Sequence, residues 1–82
     1  MNRDDLSKII AACLEQTIPE ADVATLDTST SLRDQLDIDS MDMLRFVRAL
    51  HEATGLDIPE GDTRKLETFE TALAYLSDRL IA

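Results

Sequence analysis

Asp39-Ser40-Met41-Asp42-Met43-Leu44-Arg45-Phe46-Val47-Arg48-Ala49-Leu50-His51-Glu52-Ala53-Thr54-Gly55 is the stretch on which the reading of the fold turns. Leu44, Val47 and Leu50 recur along one stripe of a helix, and Met43 and Phe46 widen that stripe. Both ends are marked. Asp39 suits the N-cap, because a short carboxylate accepts hydrogen bonds from backbone N–H groups that the first turn leaves open. Asp42 puts negative charge at the positive end of the helix dipole. Gly55 tolerates the left-handed backbone that commonly closes a helix. The pattern predicts a helix over Ser40–Thr54.

Working outward, Glu20 to Asp39 reads as a long connection. Its Thr28-Ser29-Thr30-Ser31 run favours turns and caps, because these hydroxyls compete with the backbone for hydrogen bonds. Val23, Leu26, Leu32, Leu36 and Ile38 are spaced along it as if pinning it to a core, and Ser31 is placed to cap a short helical turn through Gln35. Upstream, Leu6, Ile9, Ile10, Cys13 and Leu14 share one face of a first helix. That helix begins near Asn2 or Asp4 and ends before Pro19, since proline drives its predecessor out of the α region. Downstream, Ile58-Pro59-Glu60-Gly61-Asp62 reads as a turn, and Thr63 to Glu67 has room for little more than one helical turn. Thr68 then caps a last helix carrying Phe69, Ala72, Leu73, Leu76 and Leu80. The expected fold is all-α: a small four-helix bundle of three main helices and one short helix, with a long first loop.

The 82 residues are expected to form one domain, 1–82, with a radius of gyration of roughly 12 Å. A composition of 44% hydrophobic and 30% charged residues suits a folded chain rather than a disordered one. No stretch approaches the ~20 apolar residues of a membrane span. The first five residues lack the pattern of a signal peptide, so a cytoplasmic location is expected; a monomer is the expected state. Cys13 is the one cysteine, which allows no internal disulfide; on an apolar helix face it reads as a buried structural residue. Phe46, Phe69 and Tyr75 are the only aromatics, so the interior is mostly aliphatic.

Eight basic against 17 acidic residues give a net charge of −9. Nucleic acid is disfavoured as a partner, because phosphate backbones need neutralising cations. From Asp34 to Asp62 there are eight acids and two bases, Arg45 and Arg48, so the middle third is an acidic face suited to basic partners.

An enzyme is hard to assemble from these residues. His51, the sole histidine, lies about 16 Å along the helix from Ser40, too far to act as its base, and reads as a solvent-facing residue. There is no G-x-S-x-G elbow, no zinc-like His/Cys cluster and no glycine-rich phosphate loop among two glycines. Asp37-Ile38-Asp39-Ser40-Met41-Asp42 fails as a calcium loop because an acid stands where glycine is required, and no metal site is expected. What remains is Asp39-Ser40-Met41. Capping alone accounts for an arbitrary Asp-Ser pair, but here the serine opens the best helix at the end of a long loop, where free backbone N–H groups favour phosphate oxygens.

At this point the sequence resembles the acyl carrier proteins and their relatives, the peptidyl and D-alanyl carrier proteins. The resemblance runs over essentially the whole chain: a first helix, a long loop, Leu36-Asp37-Ile38-Asp39-Ser40-Met41-Asp42 opening the second main helix, Ile58-Pro59 after it, then a short and a full helix. It implies 4′-phosphopantetheine, taken from coenzyme A by a transferase and attached to Ser40. The thiol of that arm would hold an acyl or aminoacyl group as a thioester. Asp39 matches the acid before the family's serine, Met41 the large apolar residue beside the arm, and Asp42 a common acid after it.

The implied protein is a non-enzymatic carrier of acyl intermediates in fatty acid, polyketide or related biosynthesis. Its implied partners are a phosphopantetheinyl transferase, an acyl-loading ligase or transferase, and synthase enzymes with basic docking surfaces. Docking falls to Asp37, Asp42, Arg45, Arg48 and Glu52. Met43, Phe46, Val47, Leu50, Leu66, Phe69 and Leu73 are the candidates to line an acyl-chain cavity, although ordinary core packing explains each of them too. The alternatives are a peptidyl or aminoacyl carrier, D-alanyl included, and a cofactor-free acidic helical interaction module. A serine hydrolase is disfavoured by the missing base. Two departures from the family stand out. Asp37 replaces a common glycine, from which a different bend of the loop is expected. Arg45, Arg48 and His51 stand where primary fatty-acid carriers show acids or an apolar residue, which implies a specialised member.

Overall fold

Asn2 starts the first helix. Its side-chain oxygen accepts the Asp5 N–H at 2.9 Å, and the Asp5 carboxylate accepts the Asn2 N–H at 3.1 Å, so two of the open donors are paired reciprocally. The computed structural model describes residues 2–81. Helix α1 spans Arg3–Thr17, α2 Leu32–Leu36, α3 Ser40–Thr54 and α4 Phe69–Leu80, with 3-10 helices at Val23–Thr25 and Glu60–Leu66. The described residues hold no strand, and no helix among them is long and apolar enough to cross a membrane.

The caps explain where the elements stop and start. Ser31 accepts the Asp34 N–H at 3.4 Å to open α2, and Thr68 accepts the Thr71 N–H at 3.0 Å to open α4. Gly55 closes α3 at φ 74°, a left-handed conformation that costs glycine little. The 3-10 helix begins at Glu60, three residues before the expected Thr63, so Glu60-Gly61-Asp62 belongs to it instead of to the preceding turn.

Helix α1 lies against both α3 and α4 and supplies Leu6, Ile10, Cys13 and Leu14 to the core. Phe46, Ala49 and Leu50 enter from α3, Ala72, Tyr75 and Leu76 from α4, and Leu66 from the 3-10 helix. Each fully buried leucine or phenylalanine is worth about 1.5–3 kcal/mol of transfer free energy. The Cα radius of gyration is 11.4 Å.

Leu44 departs from the expected stripe: it stays 54% exposed. At ~100° per residue it sits about 160° around α3 from Phe46, whereas Met43, Val47, Ala49 and Leu50 lie within about 100° of Phe46. Leu44 therefore faces outward.

The long first connection is held in place at several points. Leu32 and Ile38 are buried, while Val23, Leu26 and Leu36 are half-buried against the core. The Gln35 amide donates to the carbonyls of Asp27 at 2.8 Å and Thr30 at 3.0 Å, and its oxygen accepts the Asp27 N–H at 3.0 Å. Backbone bonds from Leu32 N to Glu67 O, 2.8 Å, and from Glu70 N to Thr28 O, 3.0 Å, tie the loop to the start of α4.

Candidate functional site

Ser40 is the first residue of α3, and the cap determines what its surroundings offer. The Asp42 N–H donates to Asp39 Oδ1 at 2.8 Å, the Asp39 N–H donates to Asp42 Oδ2 at 3.4 Å, and the Met43 N–H reaches the Asp39 carbonyl at 3.0 Å. Those bonds leave the Ser40 and Met41 N–H groups without a protein acceptor among the described residues. Two backbone donors and the positive end of a 15-residue helix thus stand beside the serine, an arrangement that suits phosphate oxygens.

The same comparison singles out Ser40 among the serines. Ser40 is exposed and its Oγ makes no hydrogen bond within the described residues. Ser29 is exposed, but its Oγ donates to Asp27 at 2.9 Å. Ser31 spends its oxygen on the α2 cap, and Ser7 and Ser77 are half-buried. His51 is held elsewhere: its Nδ1 lies 2.9 Å from the Leu56 carbonyl and 3.4 Å from Asp57.

The approach to Ser40 is built by Asp37, which takes φ 55°, ψ 46° as the C-cap of α2. This left-handed conformation is the one glycine reaches most freely. An aspartate thus occupies glycine-like geometry, and the turn into Ile38 and Asp39 is made despite the side chain. Ile38 is buried and its N–H donates to the Arg33 carbonyl at 3.2 Å, which anchors the backbone two residues before the serine.

Asp39, Ser40, Met41 and Asp42 therefore come together at one end of α3, with Asp37 just before them. Met41 is 58% exposed, and Met41, Leu44, Arg45, Arg48, His51 and Glu52 form one continuous outer face of the helix. Among the expected docking residues, Arg45 reaches Asp42 at 3.4 Å, an exposed pair of small energetic weight. Leu44, expected on the apolar stripe, instead adds to Met41 a second exposed apolar side chain one turn from Ser40. Only its angular position relative to Phe46 could have disclosed it.

The seven residues expected along an acyl cavity are packed as ordinary core. Phe46, Leu50 and Leu66 are fully buried, and Met43, Val47, Phe69 and Leu73 are half-buried against them. Met43 reaches a surface depression of about 190 Å³ shared with Arg33, Thr63, Arg64 and Glu67. Val47 borders another beside Ile58 and Pro59.

Away from the serine, Asp62 receives the Tyr75 hydroxyl at 2.7 Å, Arg79 at 3.7 Å and Lys65 at 3.9 Å, while the Arg79 guanidinium stacks 3.7 Å above the Tyr75 ring. Burial first, then the bond to Asp62, holds the Tyr75 phenol above its ordinary pKa. Burial likewise pushes the Cys13 thiol up, as expected of a structural cysteine.

Residues 7–76 match the model of a family described as the phosphopantetheine attachment site. The chain is similar to an acyl carrier protein of Rubrobacter xylanophilus, 31% identical over 61 residues that cover 74% of this chain and 75% of the relative. It is similar also to an acyl carrier protein of Lactobacillus acidophilus, 30% identical over 57 residues, 70% of this chain and 71% of the relative.

Proposed function

The chain belongs to the acyl carrier protein family, whose cofactor is 4′-phosphopantetheine, and from that premise we propose that Ser40 is the residue that carries the arm. One observation supports this above the others: Ser40 alone among the described serines combines an exposed, unengaged hydroxyl with two unpaired N–H groups at the start of a long helix. Joined to the hydroxyl, the phosphodiester of the arm would find the Ser40 and Met41 N–H groups within its reach. The cap keeps the Asp39 and Asp42 carboxylates turned onto backbone donors, so they brace the helix end without occupying those two.

When attached, the arm supplies a thiol on which an acyl group rides as a thioester. The chain's own residues do no bond chemistry. They fix the attachment point at a rigid helix end and offer a face on which a transferase, a loading ligase or transferase, and synthase enzymes can dock in turn. That face changes character along its length. Asp37 and Asp39 are acidic before the serine, Met41 and Leu44 are apolar beside it, and Arg45 and Arg48 are basic beyond it. A partner with an evenly basic groove meets repulsion at the two arginines, which acts against wrong partners as much as the acids act for right ones. This mixed face favours a specialised acyl carrier over a general fatty-acid one.

The test is direct. Apo protein is incubated with coenzyme A and a broad-specificity phosphopantetheinyl transferase, and the intact mass is recorded. The expected result is one added arm in wild type and none in Ser40→Ala; no gain in wild type, or a gain that survives in the variant, defeats the assignment.

A further inference from the structure

Three of the chain's eight basic residues crowd one depression at the seam between the 3-10 helix Glu60–Leu66 and α4. Arg64 and Lys65 reach it from the 3-10 helix and Arg79 from the last turn of α4. Tyr75 gathers two of them: the Arg79 guanidinium lies 3.7 Å above its ring centre and the Lys65 ammonium 5.9 Å from the same centre. The ring is itself fixed, because Tyr75 is 3% exposed and its hydroxyl donates to Asp62. A cation already resting on an aromatic face loses less freedom when an anion arrives than one extended into water.

The charges at the seam do not cancel. Asp62 is the one carboxylate within 4.0 Å of Lys65 or Arg79 among the described residues, and it is shared by both cations and the Tyr75 hydroxyl. Arg64 has no carboxylate within that distance among the described residues; the other ion pairs there are Arg45 with Asp42 and His51 with Asp57. Three cations against Asp62 and the bordering Asp78 leave a local surplus of positive charge in a molecule of net charge −9. The seam also lies off the helix that carries Ser40. No residue of α3 lines it, and α1 is the helix that packs against both α3 and α4. On the α4 side Thr71, Ala74 and Asp78 share one exposed stripe, since ~100° per residue brings them to within about 60° of each other. Their side chains are short, so a partner backbone can approach closely enough for its own side chains to reach the cations.

We propose that this seam is a second docking surface and that its occupant is an acidic segment of a partner protein, its carboxylates shared among Arg64, Lys65 and Arg79. Charge complementarity selects that occupant. A short segment meets the cations alone, whereas a nucleic acid or an anionic membrane sets extended negative charge against the whole acidic molecule, and a second copy brings a further −9 to the contact. Occupation of the seam leaves α3 open, so the carrier can be held by an acidic partner while the Ser40 face engages another protein. Nothing in this surface depends on which serine carries the arm. The three cations are exposed, so each ion pair is worth about twofold to fivefold in affinity at low salt.

The experiment titrates the 15N-labelled full chain at low salt with an acetylated hexaglutamate peptide, and with hexaglutamine as the uncharged control. The expected result is that hexaglutamate moves the amides of Lys65, Thr71, Ala74 and Arg79 and hexaglutamine does not. Salt at physiological strength should weaken the binding, because screening then acts over ~8 Å. Arg64→Gln/Lys65→Gln should lower affinity about tenfold, and Ala74→Glu, which adds a negative charge without removing a cation, should lower it about threefold. Equal affinity in wild type and both variants overturns the proposal. So does a peptide that moves Arg45 and Arg48 on α3 instead. Inorganic phosphate that moves the same amides as strongly at equal concentration would reduce the seam to a simple anion site, and shifts that grow with protein concentration alone would give it to a second copy; either result overturns the acidic-segment assignment.

Discussion

Removing one oxygen, by Tyr75→Phe, should loosen the 3-10 helix whose Thr63 and Arg64 border the Met43 depression. Tyr75 is 3% exposed and its hydroxyl donates to Asp62 at 2.7 Å, so the 3-10 helix Glu60–Leu66 is fastened to α4 by a hydrogen bond to a charged acceptor. Such bonds are worth about 1.5–3 kcal/mol. Asp62 keeps 25% of its side chain exposed and retains Lys65 and Arg79 nearby, so water and those cations recover part of the loss. A net cost of about 1–2 kcal/mol follows. For a domain of this size each kcal/mol moves the melting temperature by about 4–8 °C, which predicts a fall of roughly 5–15 °C by calorimetry. Asp62→Asn and the double variant complete a thermodynamic cycle with an expected coupling of about 1 kcal/mol. Hydrogen exchange should accelerate first in the amides of residues 60–66 while α1 and α3 keep their protection. A loss below about 0.5 kcal/mol, the usual range for changes at an exposed surface, would mean that this contact fastens nothing.

Other perturbations separate surface from core and read the backbone directly. Leu44→Ser should leave stability within about 0.5 kcal/mol of wild type yet slow arm attachment by a transferase, whereas Leu50→Ala should cost about 2–5 kcal/mol in denaturant unfolding. An equal stability loss in the two variants would put Leu44 back in the core. Asp37→Gly should stabilise by up to about 1 kcal/mol, because glycine relieves the left-handed strain while giving part of that gain back as unfolded-state entropy; a loss of stability would show that the aspartate side chain itself supports the turn. Cys13 should resist alkylation in the native state. Its raised pKa means that the folded chain prefers the neutral thiol, so this contribution is complete below about pH 8.5 and is lost as pH climbs through the raised value. Stability that increased over that alkaline range would contradict the burial.

How much of this was legible in the sequence depended on the range of the interaction. Asn2, Ser31, Asp39, Gly55 and Thr68 act on backbone within a few residues of themselves, and the helix boundaries they set are those the spacing implied. The four-helix bundle followed from them and from the apolar stripes. Leu44 was misplaced because α3 carries Met41, Met43, Leu44, Phe46, Val47 and Leu50, apolar residues on more than one side of the helix. Phe46, once buried, marks the core side, and Leu44 lies about 160° around the helix from it. The early start of the 3-10 helix was hidden by Pro59 and Gly61, which read as turn residues as readily as helical ones. Ser40, Asp39 and Met41 could be picked out because chemistry and helix end coincide in four consecutive residues. The Tyr75–Asp62 fastening spans 13 positions, with no local pattern to announce it.

The central claim is that one particular hydroxyl bears the arm, and the most direct measurement is tandem mass spectrometry of proteolytic fragments from protein isolated from the cell that makes it. The account predicts the phosphopantetheine mass on the fragment containing Ser40, with fragment ions locating it on that side chain. An arm found on Ser29, Ser31 or any other residue, or a Ser40 fragment that is unmodified while other carriers of the same cell are loaded, would contradict it.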